Sequence, residues 1–160
     1  MFVSEDAHYS NMRPGICLGI GMNNVVAIKS DSSGRMCVSD LRSRIEEAVE
    51  KGRKPFLVVA TAGTTVLGAF DPIEEMAEIC EEFKCWLHVD AAWGGAVLIS
   101  EKHRQLMKGV EKADSVTWNP HKLMGVILQC SALLVKHKVD NLVDNLSNTV
   151  LRVCSVLVII

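Results

Sequence analysis

Much of what would mark a function at a glance is missing from this chain. No stretch reaches the ~20 apolar residues that a membrane-spanning helix needs, and the terminal run Val153 to Ile160 is cut off from earlier apolar residues by Arg152. A buried strand or a non-native end are the two readings of that run. The 17 basic and 19 acidic residues are spread along the chain for a net charge of -2, so there is no basic stripe for a nucleic acid. Met1-Phe2-Val3-Ser4-Glu5-Asp6 has neither a charged n-region nor an apolar h-region, and no secretory leader is expected there. The six cysteines, at 17, 37, 80, 85, 130 and 154, form no Cys-x-x-Cys pair, and no Cys/His cluster has zinc spacing. Free thiols in a reducing compartment, the cytosol, are therefore expected. Gly19-x-Gly21 lacks the third glycine of a dinucleotide fingerprint, and no internal repeat or low-complexity stretch is visible.

What is present is enough for one domain: 160 residues, 49% of them hydrophobic, can bury a core. Short β-branched runs alternate with amphipathic helices, the pattern of parallel βαβ units. Strands are expected at Val25–Ile28, Pro55–Thr61, Trp86–Asp90, Ser115–Trp118 and Gln129–Val135, with the second apolar enough to be buried on both faces. Ser39 can cap a helix carrying Leu41, Ile45 and Val49 and stopped by Gly52. Asp71-Pro72-Ile73-Glu74 reads as a helix start, with Asp71 as N-cap and Glu74 reaching back, and that helix should bury Ile73, Met76, Ala77, Cys80 and Phe83. Ser100 can cap a further short helix.

Unusual residues collect after the strands: Thr61-Ala62-Gly63-Thr64-Thr65, Asp90-Ala91-Ala92-Trp93-Gly94-Gly95 and Asn119-Pro120-His121-Lys122. Ligands of open α/β sheets bind outside the strands' carboxyl ends, so three such segments on one edge predict a site. Asp90 could equally be a turn residue or helix cap, and Asn119 could simply start an Asn-Pro turn. Lys122 stands apart from the other lysines through Pro120 and His121 before it and Leu123-Met124-Gly125-Val126-Ile127-Leu128 after it. Apolar surroundings would disfavour its charged form and leave more nucleophilic amine. His88 and Asp90 share a strand face as His-x-Asp, a metal fragment without an evident third ligand.

Asp-Ala-Ala-Trp at 90–93 followed by Asn-Pro-His-Lys at 119–122 resembles the group II pyridoxal-phosphate-dependent amino-acid decarboxylases, over about residues 1 to 136. The segments Ala60 to Pro72, Trp86 to Gly95 and Gln129 to Ala132 are most similar to the acidic-substrate branch, the glutamate and cysteine-sulfinate decarboxylases. Thr117 to Val126 leans towards glutamate decarboxylase, and Val66-Leu67-Gly68 towards the cysteine-sulfinate members. The resemblance implies the α/β large domain of a fold-type I pyridoxal-phosphate enzyme, a mostly parallel sheet flanked by helices, here incomplete.

It also implies roles. Lys122 would form the Schiff base with the cofactor aldehyde, and Asp90 would pair with the pyridine nitrogen. His8, in His-Tyr-Ser, would stack on one ring face and Ala92 on the other, with Thr61 near the ring oxygen and Asn119 and His121 near the phosphate. No metal is expected. The implied reaction is decarboxylation of a small acidic amino acid by a homodimer, glutamate slightly ahead and cysteine sulfinate or aspartate next, with neither nucleic acid nor membrane as partner. Residues 1–136 would form part of the cofactor-binding domain and 137–160 a divergent or truncated tail. Such a piece, without the family's Gly/Ser-rich phosphate segment, its mobile loop and its small domain, is expected to be inactive alone. Two alternatives stand beside this: a non-catalytic form that associates with full-length subunits, and another enzyme of the same fold such as an aminotransferase.

Overall fold

A computed structural model describes residues 1–136, 150–153 and 156–159. Eight strands form one sheet: β1 (Phe2–Ser4), β2 (Val26–Ile28), β3 (Leu57–Thr61), β4 (Trp86–Ala91), β5 (Ser115–Trp118), β6 (Ser131–Val135), β7 (Val150–Val153) and β8 (Val156–Ile159). Their order is β2-β1-β3-β4-β5-β6-β8-β7. Pairing is parallel from β2 through β5 and antiparallel from β5 onwards. The helices are the short α1 (Pro14–Cys17), α2 (Val38–Glu50) and α3 (Ile73–Phe83). The expected α/β architecture is present. β1 was not foreseen, because three residues are too few to show a period, yet it pairs with both β2 and β3 and is buried throughout. Of the expected tail, β8 pairs with β6 and β7 with β8; the rest of residues 137–160 lies outside the described residues.

Strand alternation sorts the sheet into two faces. Phe2, Val58, Ala60, Leu87, Val89 and Ala91 pack with Leu41 and Ile45 of α2 and Met76 and Cys80 of α3 into the main core. Val3 and Val59 point the other way, into a smaller cluster with Met1 and Val25. Thr61, His88 and Asp90 share that second face by their period of two, at the strand ends. Here the sheet presents polar groups instead of core.

The helix termini correct two expectations. α2 starts at Val38 with Cys37 as N-cap and no side-chain cap bond; Ser39 lies in the first turn, its hydroxyl 3.2 Å from the Cys37 Sγ. Val49 remains 48% exposed, so the apolar face ends a turn early. Gly52 does end α2: at φ 70° it sits where Cβ is disfavoured, and Arg53 N–H donates to Ala48 O at 2.9 Å, closing a Schellman turn.

α3 is not capped by Asp71. Pro72 is the N-cap, and the Asp71 carboxylate turns inwards to accept the backbone N–H of Met36 and of Thr61, each at 2.7 Å. Those donors are buried, whereas an exposed helix start can use water, and an unmet buried donor costs more. Glu74 does not reach back but pairs with Lys108 at 2.7 Å and Lys112 at 3.5 Å. Ile79 joins the expected buried set, and Phe83 is only partly buried. After Ser100 the chain forms a short 3-10 turn, Arg104–Met107.

Candidate active site

The carboxyl ends of β3, β4 and β5 open onto a cavity of about 370 Å³, within the range that suits small-molecule ligands. Of the residues singled out in the sequence, His8, Thr61, Asp90, Ala92, Asn119 and Lys122 all line it. Three loops far apart in the chain meet there because parallel strands end side by side: Thr61, Asp90 and Thr117 are direct neighbours across β3, β4 and β5.

Backbone contacts this close require glycine. The Gly94 N–H donates to Ala62 O at 2.9 Å, and a Cβ on Gly94 would come within 2.4 Å of that oxygen. Gly63, at φ 84°, faces Gly94 and Trp93, where a Cβ would come within 2.9 Å of each. The loops after β3 and β4 are thereby pinned to each other, which fixes the cavity wall between Thr61 and Ala92.

Asp90 is held from both sides. Its Oδ2 accepts from the Asn11 side-chain amide at 2.9 Å, and its Oδ1 from the Ala92 N–H at 3.1 Å. Asn11 is a site residue that the sequence reading missed, although it lies three positions after His8. His8 caps the 3-10 turn Tyr9–Asn11 through its Nδ1, 2.7 Å from the Ser10 hydroxyl and 3.3 Å from the Ser10 N–H. One short turn thus presents both an imidazole and the amide that steadies the carboxylate.

Lys122 follows the end of β5 in a turn closed by its own N–H on Asn119 O at 3.0 Å. The apolar segment after it does not enclose it: Ile127 is 99% and Leu128 72% exposed. The lysine's neighbours in the cavity are mainly polar, so the expected apolar setting is corrected. His121 points elsewhere, its Nδ1 2.7 Å from Cys130 O, and is not among the lining residues.

His88 was noted for its spacing to Asp90. No third metal-type ligand joins them among the described residues; the ring instead lies between Ser115 and Thr117, with Nδ1 2.8 Å from one hydroxyl and Nε2 3.2 Å from the other. Burial lowers its pKa below the ordinary imidazole value, against the opposing pull of Asp90.

These groups fit pyridoxal phosphate. A carboxylate and a primary amine share one cavity, matching a ring nitrogen and an aldehyde. Thr61 Oγ1 and Asn119 Oδ1 are buried there without a partner among the described residues, so two polar atoms await a ligand's hydrogen bonds.

Comparison with known proteins agrees. Residues 1–151 match the pyridoxal-dependent decarboxylase conserved domain. Among solved structures, mouse CSAD in its apo form is 50% identical with a TM-score of 0.84, covering 87% of this chain and 29% of that one. The glutamate decarboxylase domain of a Vibrio parahaemolyticus diaminobutyrate-pyruvate transaminase and L-2,4-diaminobutyrate decarboxylase is 35% identical with a TM-score of 0.81, covering 84% and 29%. Catharanthus roseus tryptophan decarboxylase, in complex with L-tryptophan, is 33% identical with a TM-score of 0.81, covering 85% and 30%. The chain therefore spans less than a third of each of these structures.

Proposed function

The chain belongs to the pyridoxal-dependent decarboxylase family, and we propose that it forms part of the cofactor-binding domain of an enzyme removing carbon dioxide from a small acidic amino acid. The observation that carries this reading is the meeting of Lys122, from the turn after β5, and Asp90, from the end of β4, in one cavity. Bound pyridoxal phosphate supplies an electron sink for the pair left behind when a carboxylate departs.

The chain's own residues divide the remaining work. Lys122 would tether the cofactor aldehyde through its Nζ. Asp90, braced by Asn11 and Ala92, would hold a proton on the cofactor's ring nitrogen, where a charge-assisted hydrogen bond is strong. His8 and Ala92 would flank the cofactor ring, and Thr61 and Asn119 would offer it the oxygens left without a partner among the described residues. His121, which would need to leave Cys130 to reach a phosphate, supports the Asn119–Lys122 turn. The 50% identity with mouse CSAD favours cysteine sulfinate as substrate, with glutamate next and aspartate after it.

Incubation with pyridoxal phosphate, borohydride reduction and peptide mass mapping tests the site: the label should fall on Lys122 and be lost in Lys122→Ala. A label spread over surface lysines refutes it. Carbon dioxide release from the three acids, measured on the full-length protein, ranks the substrates; amino transfer without release would instead support an aminotransferase.

A second reading has its own observation. Val66 is 90% exposed, Leu67 61%, Ile127 99% and Leu128 72%, apolar surface that commonly marks an interface. Association with another subunit, in a homodimer or with a longer chain, would cover it, and sedentary monomers at high concentration in ultracentrifugation would count against that.

A further inference from the structure

Beneath Asp90, four polar side chains on the same sheet face touch in series. The Trp86 indole N–H donates to Ser115 Oγ at 2.8 Å, Ser115 Oγ lies 2.8 Å from His88 Nδ1, and His88 Nε2 lies 3.2 Å from Thr117 Oγ1. His88 and Thr117 also line the cavity. The series spans two strands, since His88 and Ser115 are paired across β4 and β5.

Its direction follows from its first member. An indole nitrogen can only donate, so Ser115 Oγ must accept there. Ser115 is buried at 7% exposure, and among the described residues its hydroxyl proton has one acceptor within reach, His88 Nδ1. Were Nδ1 protonated instead, Ser115 would accept twice and its own proton would be buried without a partner, at a cost. With Nδ1 accepting, the ring proton sits on Nε2 and is donated to Thr117 Oγ1. The Thr117 hydroxyl proton is then left for the cavity.

We propose that Trp86, Ser115, His88 and Thr117 form one directional hydrogen-bond chain that fixes His88 as its Nε2–H tautomer and presents the Thr117 hydroxyl as a donor beside Asp90. These are positioning residues. Their role towards a cofactor rests on the pyridoxal-phosphate reading above; the tautomer does not. Asp90 and Lys122 are the charged groups that share the cavity with the ring. Thr117 lines the same cavity as Asp90, so its hydroxyl proton is available to an acceptor on a ligand bound there.

Nitrogen-15 NMR of histidine side chains in the full chain, near neutral pH and without cofactor, reads the tautomer directly, with His88→Gln assigning the signal among five histidines. A single Nε2–H form is expected, changing to a mixture or to Nδ1–H in Ser115→Ala, which is tolerable because half-exposed Trp86 can turn to water. An Nδ1–H form in the unaltered chain, or no change in Ser115→Ala, overturns the proposal whatever the cofactor does. With pyridoxal phosphate bound, Thr117→Val should shift the pH midpoint of the visible absorption and Thr117→Ser should restore it. An unshifted midpoint in Thr117→Val removes the donor role, whereas failure to bind the cofactor at all would strike the site reading and leave the tautomer result standing.

Discussion

Asn11 donates its side-chain amide to Asp90 Oδ2 at 2.9 Å, joining a turn near the start of the chain to the end of β4. A hydrogen bond to a charged group contributes roughly 1.5–3 kcal/mol. Asn11→Ala should therefore weaken pyridoxal phosphate binding by about tenfold to a hundredfold. Titration of the bound cofactor's absorbance measures this, and an unchanged affinity would detach Asn11 from the site.

Thr61→Val should act with opposite signs on two measurements. The Thr61 hydroxyl is buried without a partner among the described residues, and removing such a group from a strand position that suits valine relieves about 1 kcal/mol. Urea unfolding without cofactor should show the gain, while pyridoxal phosphate binding weakens. Loss on both counts would mean that the hydroxyl is already satisfied.

Asp71 gives the fold a pH dependence. Burial pushes its carboxyl from 3.8 up to about 6, against the Met36 and Thr61 N–H groups that pull it down and with Asp31 and Asp6 adding to the rise. The folded state thus holds this proton more tightly than the unfolded chain. Its contribution to stability is full below the ordinary value and is lost as pH rises through about 6, by on the order of 3 kcal/mol. His88 runs the other way: its lowered pKa removes stability as pH falls below 6.5. In Asp71→Asn the first component should vanish, and one backbone N–H should lose its acceptor at a cost of about 1–3 kcal/mol at neutral pH. Unfolding curves for both proteins between pH 4 and pH 8 test this; parallel profiles would contradict it.

Gly94→Ala should damage the site through the backbone. The added methyl would lie 2.4 Å from Ala62 O and 2.7 Å from Phe70 Cε1, and the oxygen cannot retreat without losing the Gly94 N–H. A loss of about 1–3 kcal/mol is expected, visible as a lower melting temperature. An unchanged melting temperature would show that the two loops can separate freely.

Periodicity and strand-end chemistry were legible in the sequence because they are local. Val58, Val59 and Ala60 in an unbroken apolar run announced a strand buried on both faces, and Asp90 and Lys122 followed strands as a ligand site requires. The capping residues were misread for a reason that is equally physical. Asp71 before Pro72 satisfies every local rule for a helix cap, yet two buried backbone donors from distant segments hold its carboxylate more strongly. Val49 and the segment after Lys122 likewise had the right composition, but burial depends on what packs above them.

The order of residues by itself determined the α/β class and the likeness to pyridoxal-phosphate decarboxylases, and it marked the loops that carry the chemistry. Tertiary structure alone decided that Asn11 reaches Asp90, that His88 lies between two hydroxyls, and that His121 turns to Cys130. Those contacts join residues from separate elements, and a hydrogen bond's partner is set by which strands lie side by side, a property no short stretch of sequence contains.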